Sequence, residues 1–177
     1  MNNILLSPHF RLDEFTKSST AIKHGIQNNP PQEAVENLRR LCANTLEPLR
    51  EALQLPVGIT SGFRTKALND LLAHSSERSQ HMQGQAADFY VAEPTDLNLE
   101  PGSLNPAKPT RRELLIRAFR LNITSEQIDY DQLILYPSFI HVSYVSRERN
   151  RRTILLGMRN GKLGYGKCSV QNALKIE

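Results

Sequence analysis

A histidine and an aspartate lie close together in the sequence, and both side chains can bind a metal ion. They are His81 and Asp88, separated by a segment that contains Gly84 and leads into the apolar run 86–91. A glycine with small neighbours is what a turn needs to direct both side chains to one point. Zinc accepts imidazole nitrogen and carboxylate oxygen at about 2.0–2.2 Å, and a catalytic zinc site combines three protein ligands with one water. The pair predicts part of a metal site, with a surface histidine and a helix-capping aspartate as the alternative.

A third ligand would have to come from elsewhere in the chain, and His141 is the candidate. It lies inside the β-rich run 139–144. Because side chains alternate between the faces of a strand, His141 and Ser143 share one face, while the apolar Ile140 and Val142 share the other. The polar pair is therefore expected to face a site or the solvent.

Four separated motifs resemble those of the zinc D-Ala-D-Ala carboxypeptidase and L-Ala-D-Glu endopeptidase family, which cuts bacterial cell-wall peptides. Residues 79–88 are similar to its Ser-x-His-x-x-Gly-x-Ala-x-Asp signature, and residues 61–65 to its Ser-Gly-[Phe/Tyr]-Arg-[Ser/Thr] motif. Residues 131–134 resemble its Asp-Gln-Leu-Ile motif, and residues 140–143 resemble its Trp-Val-His-Val-Ser motif. The N-terminal region is similar as well, so the resemblance covers roughly residues 5 to 156.

This resemblance implies a cofactor, Zn²⁺, and a set of site residues. The implied metal ligands are His81, Asp88 and His141, and the implied substrate-binding residues are Arg64 and Ser79. Arg64 also fits on independent chemical grounds, because a peptide carboxylate suits a planar, permanently charged guanidinium group with paired donors. Taken alone, Arg64 could be a solvated loop charge.

The catalytic base is the point at which the chain departs from the family pattern. The implied reaction is metal-assisted amide hydrolysis, in which a carboxylate moves a proton from water to the leaving amine. The positions where the family carries this acid hold Tyr136 and Ser138. A phenol with an unperturbed pKa of about 10 is better suited to donating a proton than to accepting one at pH 7. Asp131 is the nearest carboxylate upstream of His141 and is the candidate base, with a structural role at a strand start as the alternative.

Helix-start signals and the spacing of apolar residues predict a long helix before these motifs. Asn29 is the expected N-cap, next to a pair of prolines, and an apolar stripe runs from Val35 to Leu53 at intervals of three and four residues. Pro48 falls inside this stripe, so we expect a kink or a break near Asn44.

The remaining elements follow from strand, turn and capping signals. Short strands are predicted for residues 56–60, 86–91, 131–135, 140–145 and 153–156, and helices for residues 65–73 and behind a capping box at 110–113. Residues 160–161 are a hairpin turn signal, and residues 93–109 are predicted to be a surface loop. Helices come mostly first and strands mostly last, which predicts an α+β fold: a small, mostly antiparallel sheet flanked by helices around a single zinc site.

Length and composition favour one globular domain. The chain has 177 residues, is 39% hydrophobic and carries a formal net charge of +4. A chain of this length buries roughly 70% of its unfolded surface, so it needs no metal merely to fold. We predict a single peptidase-like domain over residues 1–177, with the motifs in 5–156 and a C-terminal hairpin or tail in 157–177.

No segment resembles a secretory signal or a membrane helix. We therefore expect a protein that is synthesised in the cytoplasm, has no membrane partner and reaches the cell wall through lysis or a holin, as a phage endolysin does. We also expect a monomer. The arginine-rich segment 147–159 lacks interleaved aromatic residues. It is therefore expected to be a solvated face or to be attracted to the anionic wall, and no nucleic-acid partner is predicted.

Two functions follow from these observations. The first is a zinc metallopeptidase that hydrolyses peptide bonds of peptidoglycan stem peptides, as a carboxypeptidase or an endopeptidase. The second is a zinc-containing, catalytically impaired module that binds cell-wall peptides, which is motivated by the residues Tyr136 and Ser138 at the expected acidic positions.

Overall fold

The computed structural model describes residues 4–73, 75–92, 109–159 and 162–176. Its elements, in chain order, are β1 (Leu5–Ser7), β2 (Phe10–Arg11), α1 (Leu12–Thr16), α2 (Ser19–Lys23), α3 (Gln32–Leu41), a π turn (Cys42–Leu46), α4 (Glu47–Leu53), β3 (Val57–Ser61), α5 (Lys66–Leu71), a 3-10 helix (Gln80–Gln83), β4 (Ala86–Val91), α6 (Arg111–Thr124), β5 (Gln132–Leu135), β6 (Ile140–Ser143), β7 (Thr153–Arg159), β8 (Lys162–Lys167) and α7 (Val170–Ala173). No helix among these residues is long and apolar enough to span a bilayer.

A six-stranded sheet in the order β3-β4-β6-β5-β7-β8 forms the centre of the fold, and β1 pairs with β2 in a separate two-stranded sheet. Neighbouring strands of the large sheet are antiparallel except β5 and β7, which are parallel. The α+β class is confirmed and the sheet is mostly antiparallel as expected, but one parallel pair makes it mixed, and six strands make it larger than expected. Because β4 and β5 occupy both edges of β6, the chain that leaves β6 reverses and pairs with the free edge of β5, which makes β7 parallel to β5.

Two hairpins of the described residues, β1–β2 and β7–β8, differ in how far the sequence predicted them. β7 and β8 pair from Arg159 opposite Lys162, so paired strands flank the turn predicted at 160–161. That turn itself lies outside the described residues, as does the predicted loop 93–109 except for its last position. The sequence did not predict the pairing of β1 with β2, because strands of three and two residues are too short to show an alternating pattern.

A π turn interrupts the long helix that the apolar stripe predicted. α3 has Pro31 as its N-cap, two residues later than expected. The π turn Cys42–Leu46 confirms the expected break near Asn44. Pro48 has no backbone N–H, so the carbonyl of Asn44 lacks the α-helical hydrogen bond that residue 48 would otherwise donate. The backbone N–H of Asp129 donates to that carbonyl at 3.0 Å. This hydrogen bond connects the π turn to the segment that leads into β5.

A hydrophobic core fills the space between the sheet and helices α3, α4 and α6. Its fully buried side chains include Leu38, Leu41, Cys42, Leu49, Phe89, Leu115, Phe119, Leu133 and Val142. Burying a side chain of this size contributes roughly 1.5–3 kcal/mol to folding. The core packs behind β4, β5 and β6 and makes these strands a rigid support for the side chains on their opposite face.

Candidate active site

Two of the predicted metal ligands face each other across neighbouring strands. Asp88 in β4 pairs in register with His141 in β6. Side chains directly opposite one another on the same face of an antiparallel pair lie close together, and His141 Nδ1 lies 2.8 Å from Asp88 Oδ1. Strand pairing alone therefore brings together residues that are 53 positions apart.

The third predicted ligand, His81, is presented by the 3-10 helix that precedes β4. Gly84 ends this helix with a φ of +68°, in the left-handed region that favours glycine. A side chain at Gly84 would also collide with the backbone carbonyl of Ala34 in α3. The turn therefore packs tightly against α3 and directs His81 toward Asp88 and His141.

The hydrogen bonds of His81 determine which ring nitrogen is available to a metal. His81 Nδ1 lies 2.6 Å from the carbonyl oxygen of Gly62. A carbonyl only accepts, so Nδ1 carries the proton and donates it, which leaves the lone pair of Nε2 directed at the other ligands. Burial lowers the pKa of His81. The ring is therefore held neutral, the form that binds metals.

The three ligand atoms form a compact triangle. His81 Nε2 lies 3.2 Å from His141 Nδ1 and 3.4 Å from Asp88 Oδ1, and the third edge is 2.8 Å. Ligands about 2.0–2.2 Å from a tetrahedral ion would lie about 3.3–3.6 Å apart. Burial raises the pKa of Asp88, but the two imidazoles lower it further, well below its ordinary value, so its carboxylate is ionised. The three residues form a group that could hold a metal ion, and their nitrogen and oxygen atoms suit zinc.

A cavity of about 800 Å³ opens beside this triangle. Its walls include all the predicted site residues, Arg64, Ser79, His81, Asp88, Asp131 and His141, together with Gln80, Tyr136, Arg151 and Tyr165. The structure thus brings the predicted site residues to one place. A pocket of this size can enclose several residues of a peptide.

Arg64 lies in the connection between β3 and α5. Its backbone N–H donates to the carbonyl of His81 at 3.2 Å. Its guanidinium lines the cavity, and burial lowers its pKa without neutralising it. Among the residues that the structure describes, its buried Nε atom has no hydrogen-bond partner. An arginine in this state can form hydrogen bonds with a carboxylate that enters the cavity.

The position of Arg64 depends on a residue that sequence analysis did not assign to the site. Asn28 is buried, and its side-chain amide donates to the carbonyl of Phe63 at 2.8 Å while its Oδ1 accepts the N–H of Thr65 at 2.9 Å. These bonds hold the backbone on both sides of Arg64. Two asparagines followed by two prolines are typical of a loop, so only the tertiary structure reveals the contacts of Asn28.

Asp131, the predicted base, precedes β5 and is 1% exposed. Its Oδ1 accepts the backbone N–H and the Nε–H of Arg151, both at 2.8 Å. Its Oδ2 accepts from Gln80 Nε2 at 2.8 Å, from Ser143 Oγ at 3.3 Å and from Arg151 Nη2. Burial raises the pKa of Asp131, but the hydrogen bonds from Arg151 and Gln80 lower it further, to about 2. Its catalytic role stays a prediction.

Tyr136 and Ser138 differ in their relation to the cavity. Ser138 is exposed and is not among the cavity-lining residues, whereas Tyr136 lines the wall. The Tyr136 ring stacks on Phe139, with centroids 4.4 Å apart, and its hydroxyl donates to the Tyr165 hydroxyl at 3.1 Å. Burial and this hydrogen bond raise the pKa of Tyr136, so the phenol keeps its proton at neutral pH. Tyr165 was not predicted, because it lies in the hairpin after the motifs.

Comparison with known proteins adds one finding. A sequence model of the family described as Peptidase M15 matches residues 8–104, more than half of the chain. The matched region contains Arg64, Ser79, His81 and Asp88, and His141 lies beyond it. No curated protein matches the chain. The matched segment carries His81 and Asp88 of the triangle that could hold a metal, and β6 supplies His141. Because the family model matches more than half of the chain, the chain belongs to the M15 family of zinc peptidases, which includes D-Ala-D-Ala carboxypeptidases and endopeptidases.

Proposed function

We propose that the protein is a zinc-dependent peptidase that hydrolyses peptide bonds in peptidoglycan stem peptides, as a carboxypeptidase or an endopeptidase. The observation that carries the proposal is the triangle of His81, Asp88 and His141 at the wall of a cavity, in a chain of the M15 family. Members of this family are generally zinc-dependent. A zinc ion supplies Lewis acidity, which polarises a carbonyl and lowers the pKa of water.

The cavity residues supply the rest of the chemistry. Arg64 binds a carboxylate of the substrate with its guanidinium and thereby orients the peptide beside the ligand triangle. Ser79 offers a hydroxyl from the same wall. Tyr136 holds its proton at neutral pH, and its hydroxyl donates to the substrate after turning away from Tyr165, its acceptor in this structure. Stem peptides contain several free carboxylates and small residues, which suits a polar cavity that contains an arginine.

A second candidate function is a zinc-containing module that binds wall peptides without turnover. The observation in its favour is the small number of carboxylates near the ligand triangle. Among the described residues that line the cavity, the carboxylates are Asp88 and Asp131. Asp88 belongs to the ligand triangle, and both oxygens of Asp131 accept hydrogen bonds from other side chains. A base for hydrolysis is therefore not apparent among these residues.

Mass spectrometry of purified muropeptides after incubation with the zinc-loaded protein distinguishes the two functions. We expect cleavage products whose masses identify the bond that is cut. The variant His81→Ala should abolish cleavage, whereas His24→Ala, at the exposed position directly after α2, should not. Products that persist in His81→Ala would contradict the peptidase proposal. Zinc binding and peptide binding without any product would favour the second candidate.

A further inference from the structure

The buried carboxylate of Asp131 contacts both segments that carry the metal-binding histidines. Gln80, which donates to Asp131 Oδ2 at 2.8 Å, directly precedes His81 in the 3-10 helix. Ser143, which donates to the same oxygen at 3.3 Å, lies two residues after His141 in β6. One oxygen atom thus joins two segments that come from distant parts of the chain.

Backbone contacts add to this connection. The N–H of Asp131 donates to the carbonyl of Ser143 at 2.6 Å, and the N–H of Gln132 donates to Ser143 Oγ at 3.1 Å. Residue 143 is therefore held through its carbonyl and its side chain. His141 is therefore held in place in two ways: by the bonds of Asp131 and Gln132 to Ser143 in the same strand, and by its pairing with Asp88 in β4.

Arg151 closes a ring of hydrogen bonds around the carboxylate. It donates to both oxygens of Asp131, and its Nη2 also donates to Gln80 Oε1 at 3.2 Å. The Gln80 amide is therefore held at both ends, as a donor to Asp131 and as an acceptor from Arg151. Arg151 also supplies the positive charge that a buried carboxylate requires.

We propose that Asp131 is a positioning residue that holds Gln80 and Ser143, and through them His81 and His141, at the separation that metal binding requires. Residues that orient the metal ligands increase the affinity of a site for its metal. Without them, the ligands would have to be ordered when the metal binds, and this ordering costs free energy. Both oxygens of Asp131 already accept hydrogen bonds from the protein. The positioning role uses these bonds alone, whereas the role of a base would require an oxygen that faces the substrate. The inference rests on the metal centre of the proposed function and not on turnover.

The test uses a matched pair of variants in the full-length protein. Asp131→Asn keeps the size of the side chain and removes its charge and one acceptor. Asp129→Asn makes the same change at another buried aspartate, which pairs with Arg152 and, among the described residues, forms no hydrogen bond with the 3-10 helix or β6. Zinc affinity is measured by competition with a chromophoric chelator. The visible spectrum of the Co²⁺-substituted protein reports the geometry of the ligands.

We expect Asp131→Asn to weaken zinc binding about tenfold and to change the Co²⁺ spectrum. Asp129→Asn should leave affinity within about twofold and the spectrum unchanged, even if both variants lose thermal stability. A spectrum and affinity that are unchanged in Asp131→Asn would overturn the proposal. Equal weakening in both variants would also overturn it, because it would indicate a general loss of stability.

A second variant keeps the proposal testable if Asp131→Asn does not fold. Gln80→Ala removes the contact to the 3-10 helix and leaves the Asp131–Arg151 pair in place. We expect weaker zinc binding with little loss of stability, and unchanged zinc binding would contradict the proposal. Affinity is measured whether or not the wild-type protein cleaves muropeptides, so failure of the proposed function and failure of this inference are separate results. Lost cleavage with unchanged metal affinity in Asp131→Asn would instead favour the base role.

Discussion

Two aspartate–arginine pairs lie side by side at the start of β5, and they differ in what surrounds them. Asp131 pairs with Arg151 and Asp129 pairs with Arg152. The aspartates are 1% and 3% exposed, and the arginine side chains are 57% and 63% exposed. By residue type, spacing and burial the two pairs are nearly equivalent.

Their hydrogen-bond partners are different. Both Asp131 oxygens accept bonds from side chains of the cavity wall. Asp129 Oδ1 accepts from Arg152 and from the N–H of Tyr130, whereas its Oδ2 has no partner among the described residues. The backbone of Asp129 is bonded to the π turn, where Thr45 Oγ1 donates to its carbonyl at 2.5 Å. One aspartate thus serves the site through its carboxylate, and the other serves the scaffold mainly through its backbone.

The largest expected effect comes from removing the arginines. Arg151→Met leaves a buried carboxylate without its countercharge. We expect the free energy of unfolding to fall by about 3 kcal/mol, the low end of the range for a broken buried pair. The loss is at the low end because Arg151 is largely exposed, so water can partly take the place of its guanidinium. Arg152→Met also removes the countercharge of a buried carboxylate, but Asp129 loses one side-chain hydrogen bond where Asp131 loses two, so we expect a smaller loss of about 2 kcal/mol. Urea denaturation of the metal-free variants measures both values. Equal losses would contradict the distinction between the pairs.

Acid denaturation sharpens the comparison. The pKa of Asp131 is about 2 in the folded protein and about 3.9 in an unfolded chain. A lowered folded-state pKa stabilises the protein above the unfolded value, and this stabilisation is lost as the pH falls from about 4 to 2. The difference corresponds to roughly 2–3 kcal/mol. The metal-free Asp131→Asn protein should lose this part of the pH dependence of stability, and Asp129→Asn should keep it. A profile unchanged by Asp131→Asn would refute the assignment.

The smallest expected effects concern two buried hydroxyls, one beside each aspartate. Ser143→Ala removes the bond to the Asp131 carboxylate, and Thr45→Val removes the bond to the Asp129 carbonyl. Each should cost about 1 kcal/mol of unfolding free energy. Only Ser143→Ala should also weaken zinc binding, as measured by chelator competition. Weakened binding in Thr45→Val would show that the scaffold side contributes to the site as well.

Local sequence signals predicted several elements correctly because short-range physics determines them. Thr110 and Glu113 form the capping box at the start of α6, and β4 has the predicted bounds. Pro48 predicted the break near Asn44, since a missing N–H has the same effect in any helix. The ligand set came from the motif resemblance, because residue types and spacing are what a motif records.

Long-range partners were outside the reach of these signals. The parallel pairing of β7 with β5 depends on which sheet edge is free, and local periodicity carries no information on strand order. Asp131 was interpreted as a candidate base because the sequence shows a carboxylate near His141, and its bonds to Gln80 and Arg151 depend on sheet register and on the return of the chain after β6. The contacts of Tyr165 with Tyr136, and of Asn28 with the residues beside Arg64, also join parts of the chain that are far apart in the sequence.

The sequence by itself determined the residue types of the metal triangle, the glycine that turns the chain beside His81, and the α+β class. The tertiary structure decided that His81 and His141, 60 residues apart, lie 3.2 Å from each other, and that of two similar aspartates only Asp131 contacts the segments that carry them. The physical reason is that turns and caps depend on neighbouring residues, whereas the partners of a buried charge depend on how strands and loops pack around it.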